Sequence, residues 1–542
     1  MLLGALNIAV FLCLSVVCTQ SGSLPVDIQE AQWRYLYLSA IAGILIFLGV
    51  LIASTNRCKR LFPVALACGL IFWGAVEAVW GIRQVYGFTY SNHSLFALTG
   101  SFYNPGPYSG YLAMIFPVCL YEWLKRKDGK KTIPYYITLA VMLLILCVLP
   151  AGMSRSAWIA AAASSAYIFG MHYKENISNY IKTNRRKVLR CAVLGFILSG
   201  ILLGGIYVLK KDSADGRLFM WKIAARTVYE RPLTGYGWTQ VAGAFGQAQE
   251  DYFSLNNYTG TEEHVAGSPE YVFNEYLQVA IAWGIPALLI GLLIIGGSAY
   301  AGHKRREYGL CGALLSLAIF AFSSYPLQFP AFVVALVLLV LACGINALPL
   351  EKSWFRYFFV VLLAGCGYGC FYMYQQKSKS LETCTQWSRS RILYQSGAYD
   401  QAVESYSELA DDMKWNARFM FEYGHALHKL HRNEESNVIL KEALKVSGDP
   451  MLLNIIGKNE QEMKNYEKAE HWLIRSTHRL PGRIYPYYLL AKLYADSTFY
   501  NPDKLQEMAE VVFTKTPKVE STAIKQMKKE LEKIVKENDI TK

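Results

Sequence analysis

Long apolar runs alternate with short basic connections through roughly the first 376 residues, and this alternation constrains the chain more than any other feature. A hydrocarbon core about 30 Å thick is crossed by roughly 17 to 25 mostly apolar residues in a helix. About eleven stretches meet or approach that length: 2–18, 35–54, 61–82, 108–124, 133–150, 156–171, 189–209, 274–300, 309–324, 327–347 and 356–375. The first has no Lys or Arg ahead of its apolar run, and "VVCTQS" is a poor small-residue cleavage site. A membrane span is therefore the first reading and a cleaved signal peptide the second. The expected fold class is all-α: a polytopic membrane bundle over 1–376, then a soluble helical region over 377–542.

Lys and Arg stay on the cytoplasmic side of a membrane and so set the orientation. Every second connection is basic: Arg57, Lys59 and Arg60; "KRKDGKK" at 125–131; Lys174 through Arg190; Lys304 to Arg306; Lys352 and Arg356. These five hold 19 cations against four acids (Asp128, Glu175, Glu307, Glu351), an excess of 15 that exceeds the +13 of the whole chain. The basic balance is thus a topology signal and does not point to nucleic acid. It puts the N-terminus inside, with the long connection 210–273 and the C-terminal region outside. Twelve cysteines lie mostly within apolar runs, with no CxxC or Cys/His spacing that suggests a metal, so neither a structural disulfide nor a metal cofactor is expected.

From about residue 383 paired amphipathic helices recur with a period near 34, the length of a tetratricopeptide repeat. "GAYDQAVESYSEL", "HRNEESNVILKEAL" and "KNYEKAEHWLIRS" occupy corresponding places, with Tyr399, Asn433 and Tyr466 in step. Gly424, Gly457 and Ala491 recur at 33 and 34 residues, where a small side chain lets two helices approach, and Pro450 and Pro481 fall at repeat ends. The region resembles the tetratricopeptide family. A solenoid of that kind offers a binding face for a protein partner and no catalytic group of its own.

Four outer features carry candidate chemistry. The first runs from Arg83 into "GSFYNPGPYSGYLA", where Pro105 and Pro107 suit the start of a helix. The second, "AGMSRSAW", places Arg155 at the mouth of a span, where it either snorkels or clamps an anion. The third, "DGRLFMWKIAARTVYERPLTGYGW", brings Arg217, Trp221 and Arg226 onto nearby faces of one helix. Its guanidinium groups suit either lipid headgroups or the paired oxygens of a diphosphate. In the fourth, "EEHVAGSPEYVFNEYLQVAIAWGIPALL", Asn274, Glu275 and Gln278 open a span and His264 stands on the loop ahead of it.

These four features, in this order over roughly residues 60–345, resemble the O-antigen ligase family of polytopic glycosyltransferases, which includes polysaccharide polymerases and protein O-oligosaccharyltransferases. The resemblance implies transfer of a glycan from undecaprenyl diphosphate to a lipid, polysaccharide or protein acceptor, at the outer face of the bacterial inner membrane, without metal or nucleotide sugar. It puts Arg155 and Arg217 on the diphosphate; Arg226 and Arg83 are further candidate cations for the same group. The chain departs from the family where a His-Asn pair is usual: Phe273 takes the His place and Asn274 keeps its own, leaving as the general base His264 first, Glu275 second, or no base at all. A transporter or a non-catalytic repeat scaffold are the readings from other classes. Ionisable residues gathered at outer loops and not at mid-membrane speak against transport.

The charge alternation predicts that alkaline phosphatase fused after Gln376 is active and that the same fusion within 125–131 is inactive. Activity from the 125–131 fusion overturns the map.

Overall fold

The computed structural model describes residues 1–18, 25–127, 131–190, 193–195 and 211–538, and every regular element among them is helical. Among the described residues, five helices are long and apolar enough to cross a membrane: Val26–Ala53, Thr55–Val85, Glu275–Lys304, Pro330–Ala347 and Ser353–Ser396. Three apolar helices are shorter, Leu2–Cys18, Ile133–Val148 and Tyr308–Ala321. The expected spans at 108–124 and 156–171 fall within the helices Pro105–Lys127 and Arg155–His172. The expected span at 189–209 lies largely outside the described residues.

The chain forms two compact units. The first takes in Met1–Ile201, Phe273–Tyr276 and Leu289–Glu382; the second takes in Leu202–Val272, Leu277–Leu288 and Thr383–Lys542.

In the first unit Tyr308–Ala321 packs on both Pro105–Lys127 and Arg155–His172, and small residues make the approach close. A side chain at Gly110 would collide with the Phe320 ring, and one at Gly312 would press on Pro117 and Ile168. Ser316 Oγ donates to the Ala113 carbonyl at 2.7 Å, which satisfies a hydroxyl that burial would otherwise penalise. Farther along, Lys377 Nζ meets the buried Glu30 carboxylate at 2.9 Å and ties Ser353–Ser396 to Pro25–Ala53.

In the second unit, each helix from Ala417–Lys429 to Pro502–Thr514 packs on the next in sequence. The repeat-spaced small residues sit at the closest approaches: a Cβ on Gly424 would overlap Leu440, and one on Gly457 would overlap Leu473. The connection expected at 210–273 is helical over Lys211–Glu230, Val241–Ser254 and Gly260–Val265. Its helix Val241–Ser254 packs on Tyr466–Arg479 through a buried ion pair: Glu250 accepts from Arg479 Nε at 2.9 Å and Nη2 at 2.5 Å, and from Arg475 Nε at 2.6 Å. Gln249 Nε2 adds a 2.7 Å bond to the Arg479 carbonyl, and Gly246 leaves room for the guanidinium.

Removing one member of a buried ion pair strands the other charge at a cost of about 3–5 kcal/mol, whereas an apolar replacement of both is far milder. Arg479→Met and Glu250→Met are each expected to lower the thermal unfolding midpoint of the second unit sharply. The double variant should lose less than the sum. Additive losses in that cycle would show that the pair is not coupled.

Candidate functional site

Within the first unit, the loop after the helix Thr55–Val85 is held by two polar side chains of that helix. Gln84 Oε1 accepts from Thr99 N at 2.9 Å and Gly100 N at 2.7 Å, while its Nε2 donates to the Tyr90 and Gly100 carbonyls, both at 3.1 Å. Glu77 Oε2 accepts from Ser101 N at 3.1 Å, and the Glu77 carbonyl accepts from Tyr108 Oη at 2.9 Å. Neither Glu77 nor Gln84 was among the sequence candidates, although a carboxylate in the middle of an apolar run is the signal that marks such a residue. Arg83, beside Gln84, is exposed. Asn104 Oδ1 accepts from Gly106 N at 2.9 Å, and the helix starting at Pro105 follows.

That helix reaches the second sequence feature at Ser109, whose side chain occupies the space a Cβ on Gly152 would need. Trp158 Nε1 bonds the Leu149 carbonyl at 2.9 Å and closes the turn from the other side. Met153 is held at φ +46°, and Arg155, half-buried, is the first residue of the helix that follows Ser154.

The fourth feature has the same construction. Phe273 is held at φ +50°, and the helix begins two residues later, at Glu275. A left-handed backbone costs a bulky residue about 1–2 kcal/mol, and such strain persists where surrounding contacts fix it. Here the contacts are the Phe273–Tyr325 ring pair, 4.9 Å between centroids, and the Tyr276 hydroxyl on the Ala318 carbonyl at 2.8 Å. Glu275 is buried; its Oε1 accepts from Leu327 N at 2.7 Å, and its Oε2 has no hydrogen-bond partner among the described residues. Asn274 is buried beside it.

Ser156, next to Arg155, and Tyr276, next to Glu275, line one groove of about 380 Å³ together with Ile159, Ala318, Ile319, Phe322 and Ser323. The first unit thus brings the second and fourth sequence features to one mostly apolar slot with hydroxyls on its walls.

Within the second unit Arg217, half-buried, and Arg226, exposed, lie on the helix Lys211–Glu230. Between them Lys222 donates to Glu262 Oε1 at 2.6 Å and to Tyr252 Oη at 2.7 Å, and Tyr252 Oη donates to Glu262 Oε2 at 3.0 Å. Desolvation raises the Glu262 pKa, but the bonds from Lys222, the Thr259 backbone and Tyr252 outweigh it and bring the carboxyl down to about 2. Glu262 therefore keeps its charge through the neutral range and neutralises Lys222. Arg226 stands over the Tyr252 ring at 6.0 Å.

His264, expected on a loop, lies instead in the short helix Gly260–Val265, exposed. The reason is a capping box: Thr259 accepts from Glu262 N and the Glu262 carboxylate accepts from Thr259 N. Val265 packs against Gly216, so His264 and Arg217 sit on neighbouring elements.

The third and fourth features also meet within this unit, backbone to backbone. Gly284, at φ +82°, breaks the helix Glu275–Lys304, and Pro286 lacks an N–H. The carbonyls of Ile281 and Ala282 accept instead from Tyr236 N at 2.9 Å and Gly237 N at 2.8 Å, while Ile285 N donates to the Pro232 carbonyl at 2.7 Å. Trp238 stacks on Trp283 at 4.9 Å. A Cβ at Gly284 would collide with the Leu233 carbonyl, so the approach requires glycine as much as the φ does.

Residues 140–292 match the family model described as O-Antigen ligase. The matched stretch holds Arg155, Arg217, Arg226, His264, Asn274 and Glu275, and it ends inside the kinked helix. It supports a membrane glycosyltransferase of the O-antigen ligase and polymerase type. No curated protein matches the chain.

Within the O-antigen ligase stretch the strained Phe273 offers a direct check. Asn tolerates a left-handed backbone better than other non-glycine residues, whereas Ala retains the strain and loses the ring contact. Phe273→Asn is expected to unfold at a higher temperature in detergent than Phe273→Ala. The reverse order would remove backbone strain as the governing factor.

Proposed function

We propose that the chain is a bacterial inner-membrane glycosyltransferase that moves a glycan from an undecaprenyl-diphosphate carrier to a lipid, polysaccharide or protein acceptor on the periplasmic side, without a metal. On this reading the C-terminal helices form a periplasmic tetratricopeptide solenoid that docks a protein partner. The observation that carries the proposal is the groove between Ser156 and Tyr276, which lies beside a half-buried arginine and a buried carboxylate inside the O-antigen ligase match.

Arg155 and Arg217 are assigned to the diphosphate, with Arg226 and Arg83 as outlying cations. A planar guanidinium grips paired phosphate oxygens and stabilises the charge that grows on the leaving group. An acceptor hydroxyl attacks the anomeric carbon; the carbon–oxygen bond to the diphosphate breaks, and the carrier diphosphate leaves with the bonding electrons. The acceptor proton passes to a base. Glu275 is assigned that role ahead of His264, because its Oε2 is buried without a partner and its neighbour Tyr276 lines the groove. Asn274 is assigned to orienting the acceptor.

Arg155→Lys and Arg217→Lys keep the charge and lose the fork, so both are expected to lose most transfer from purified carrier-linked donor at normal membrane levels. A general base contributes about 10²–10⁴-fold, so Glu275→Gln should fall by at least about a hundredfold and His264→Ala by less than about tenfold. Wild-type rates in the two lysine variants would remove the clamp, and a severe loss confined to His264→Ala would transfer the base to that residue.

A further inference from the structure

The helix Thr55–Val85 leaves an apolar stripe open along one side: Val64, Cys68, Phe72 and Val79 are exposed, and so is Tyr86, which follows the last turn. At about 100° per residue these five positions fall within a sector of about 80°. On a helix long and apolar enough to cross a membrane, such a stripe is the face that meets acyl chains.

Beyond Tyr86 the stripe does not give way to charge. Arg83 is the last charged residue before Glu122, and His93 is the sole histidine between them. In the loop that follows, Phe88 is 75 %, Tyr90 98 % and Leu95 82 % exposed. By contrast the exposed Val438, on the helix Asn433–Ala443, stands among the exposed Glu434, Glu435 and Lys441.

The loop also satisfies its main chain from within. Tyr86 N and Gly87 N donate to the Ile82 and Gln84 carbonyls, both at 3.1 Å, and Phe88 N and Thr89 N both reach the Arg83 carbonyl, at 2.8 and 3.3 Å. Asn92 Nδ2 donates to the Phe102 carbonyl at 3.1 Å, and Leu95 N donates to His93 Nδ1 at 3.0 Å. Together with the Gln84 bonds described above, these contacts turn polar groups inward while Phe88, Tyr90 and Leu95 face out. Water favours the opposite arrangement. A lipid surface favours this one, because irregular backbone at membrane depth needs its partners inside the protein.

We propose that the loop 86–97 is set into the headgroup layer of the bilayer, at the end of Thr55–Val85 away from Arg57 and Arg60, with Phe88, Tyr90 and Leu95 against the upper acyl chains. The partner is the phospholipid surface itself, and the proposal is independent of the glycosyltransferase reading. Two observations select it. The loop prolongs the lipid-facing stripe of the helix without a break, and its exposed aromatic rings stand at the end of a span, where such rings hold a helix at a fixed depth. A glycan stacked on the same rings would draw on polar groups at their edges, whereas Phe88 and Leu95 offer only carbon.

The test uses the full chain in phosphatidylethanolamine–phosphatidylglycerol nanodiscs, with p-benzoylphenylalanine replacing Phe88, Tyr90 or Leu95 in turn. Phe72, within the span, and Val438 are replaced in the same way as references. Each preparation is irradiated in the presence of maltohexaose, and the adducts are read by mass spectrometry. Phospholipid adducts at all three loop positions should reach at least about a third of the yield at Phe72 and exceed the yield at Val438 by about tenfold or more. Loop yields no higher than at Val438 overturn the proposal by leaving the loop in water. Maltohexaose adducts that outnumber phospholipid adducts at these positions overturn it in favour of a glycan platform.

Discussion

The backbone exchange at the kink of Glu275–Lys304 is the constraint on which the arrangement of residues 211–288 depends. A helix broken by Gly284 and Pro286 leaves the carbonyls of Ile281 and Ala282 without their usual donors. Both residues are buried, so the loss would be costly unless another segment donated to them. Residues 232–237 do so and receive Ile285 N in return. The end of the helix that carries Arg217 and Arg226 is thereby tied to the helix whose first residue is Glu275. The tie is made of main-chain groups, with Gly235 and Gly284 clearing the path.

The two helix starts built alike give the candidate site its second organising element. Met153 and Phe273 each take a left-handed backbone two residues ahead of an ionisable first residue, Arg155 and Glu275. A chain that turns this sharply into a helix points its first side chain in a direction fixed by the turn. Phe273 is anchored by its ring against Tyr325 and its backbone is bent. The position contributes shape here, and the ionisable group stands two residues on.

Much of this was legible in the residues, for reasons that differ between elements. Apolar runs interrupted by basic connections mark helices because bilayer and helix geometry leave few alternatives, and the helix beginning at Glu275 follows from "FNEYLQ" ahead of an apolar stretch. Gly424 and Gly457 could be matched by spacing, and each does meet a leucine of the next helix. The exchange between 232–237 and 281–285 has no side-chain signature, since main-chain hydrogen bonds are available to every sequence. The left-handed Phe273 was equally hidden, because nothing in a phenylalanine announces that backbone. His264 reads as a loop residue from its Gly- and Ser-rich surroundings, although "TGTEE" contains the Thr-to-Glu spacing of a capping box. Glu250 and Arg479 could not be paired from a distance of 229 residues, each being a charge on an amphipathic helix.

That separation has a consequence in time. At roughly 5–20 residues per second of synthesis, Arg479 emerges on the order of 10–50 s after Glu250. For that interval the helix Val241–Ser254 exists without the cation that neutralises its buried carboxylate. The stretch 211–265 therefore cannot reach its final packing while it is being made, and its completion is deferred until most of the C-terminal helices have followed it.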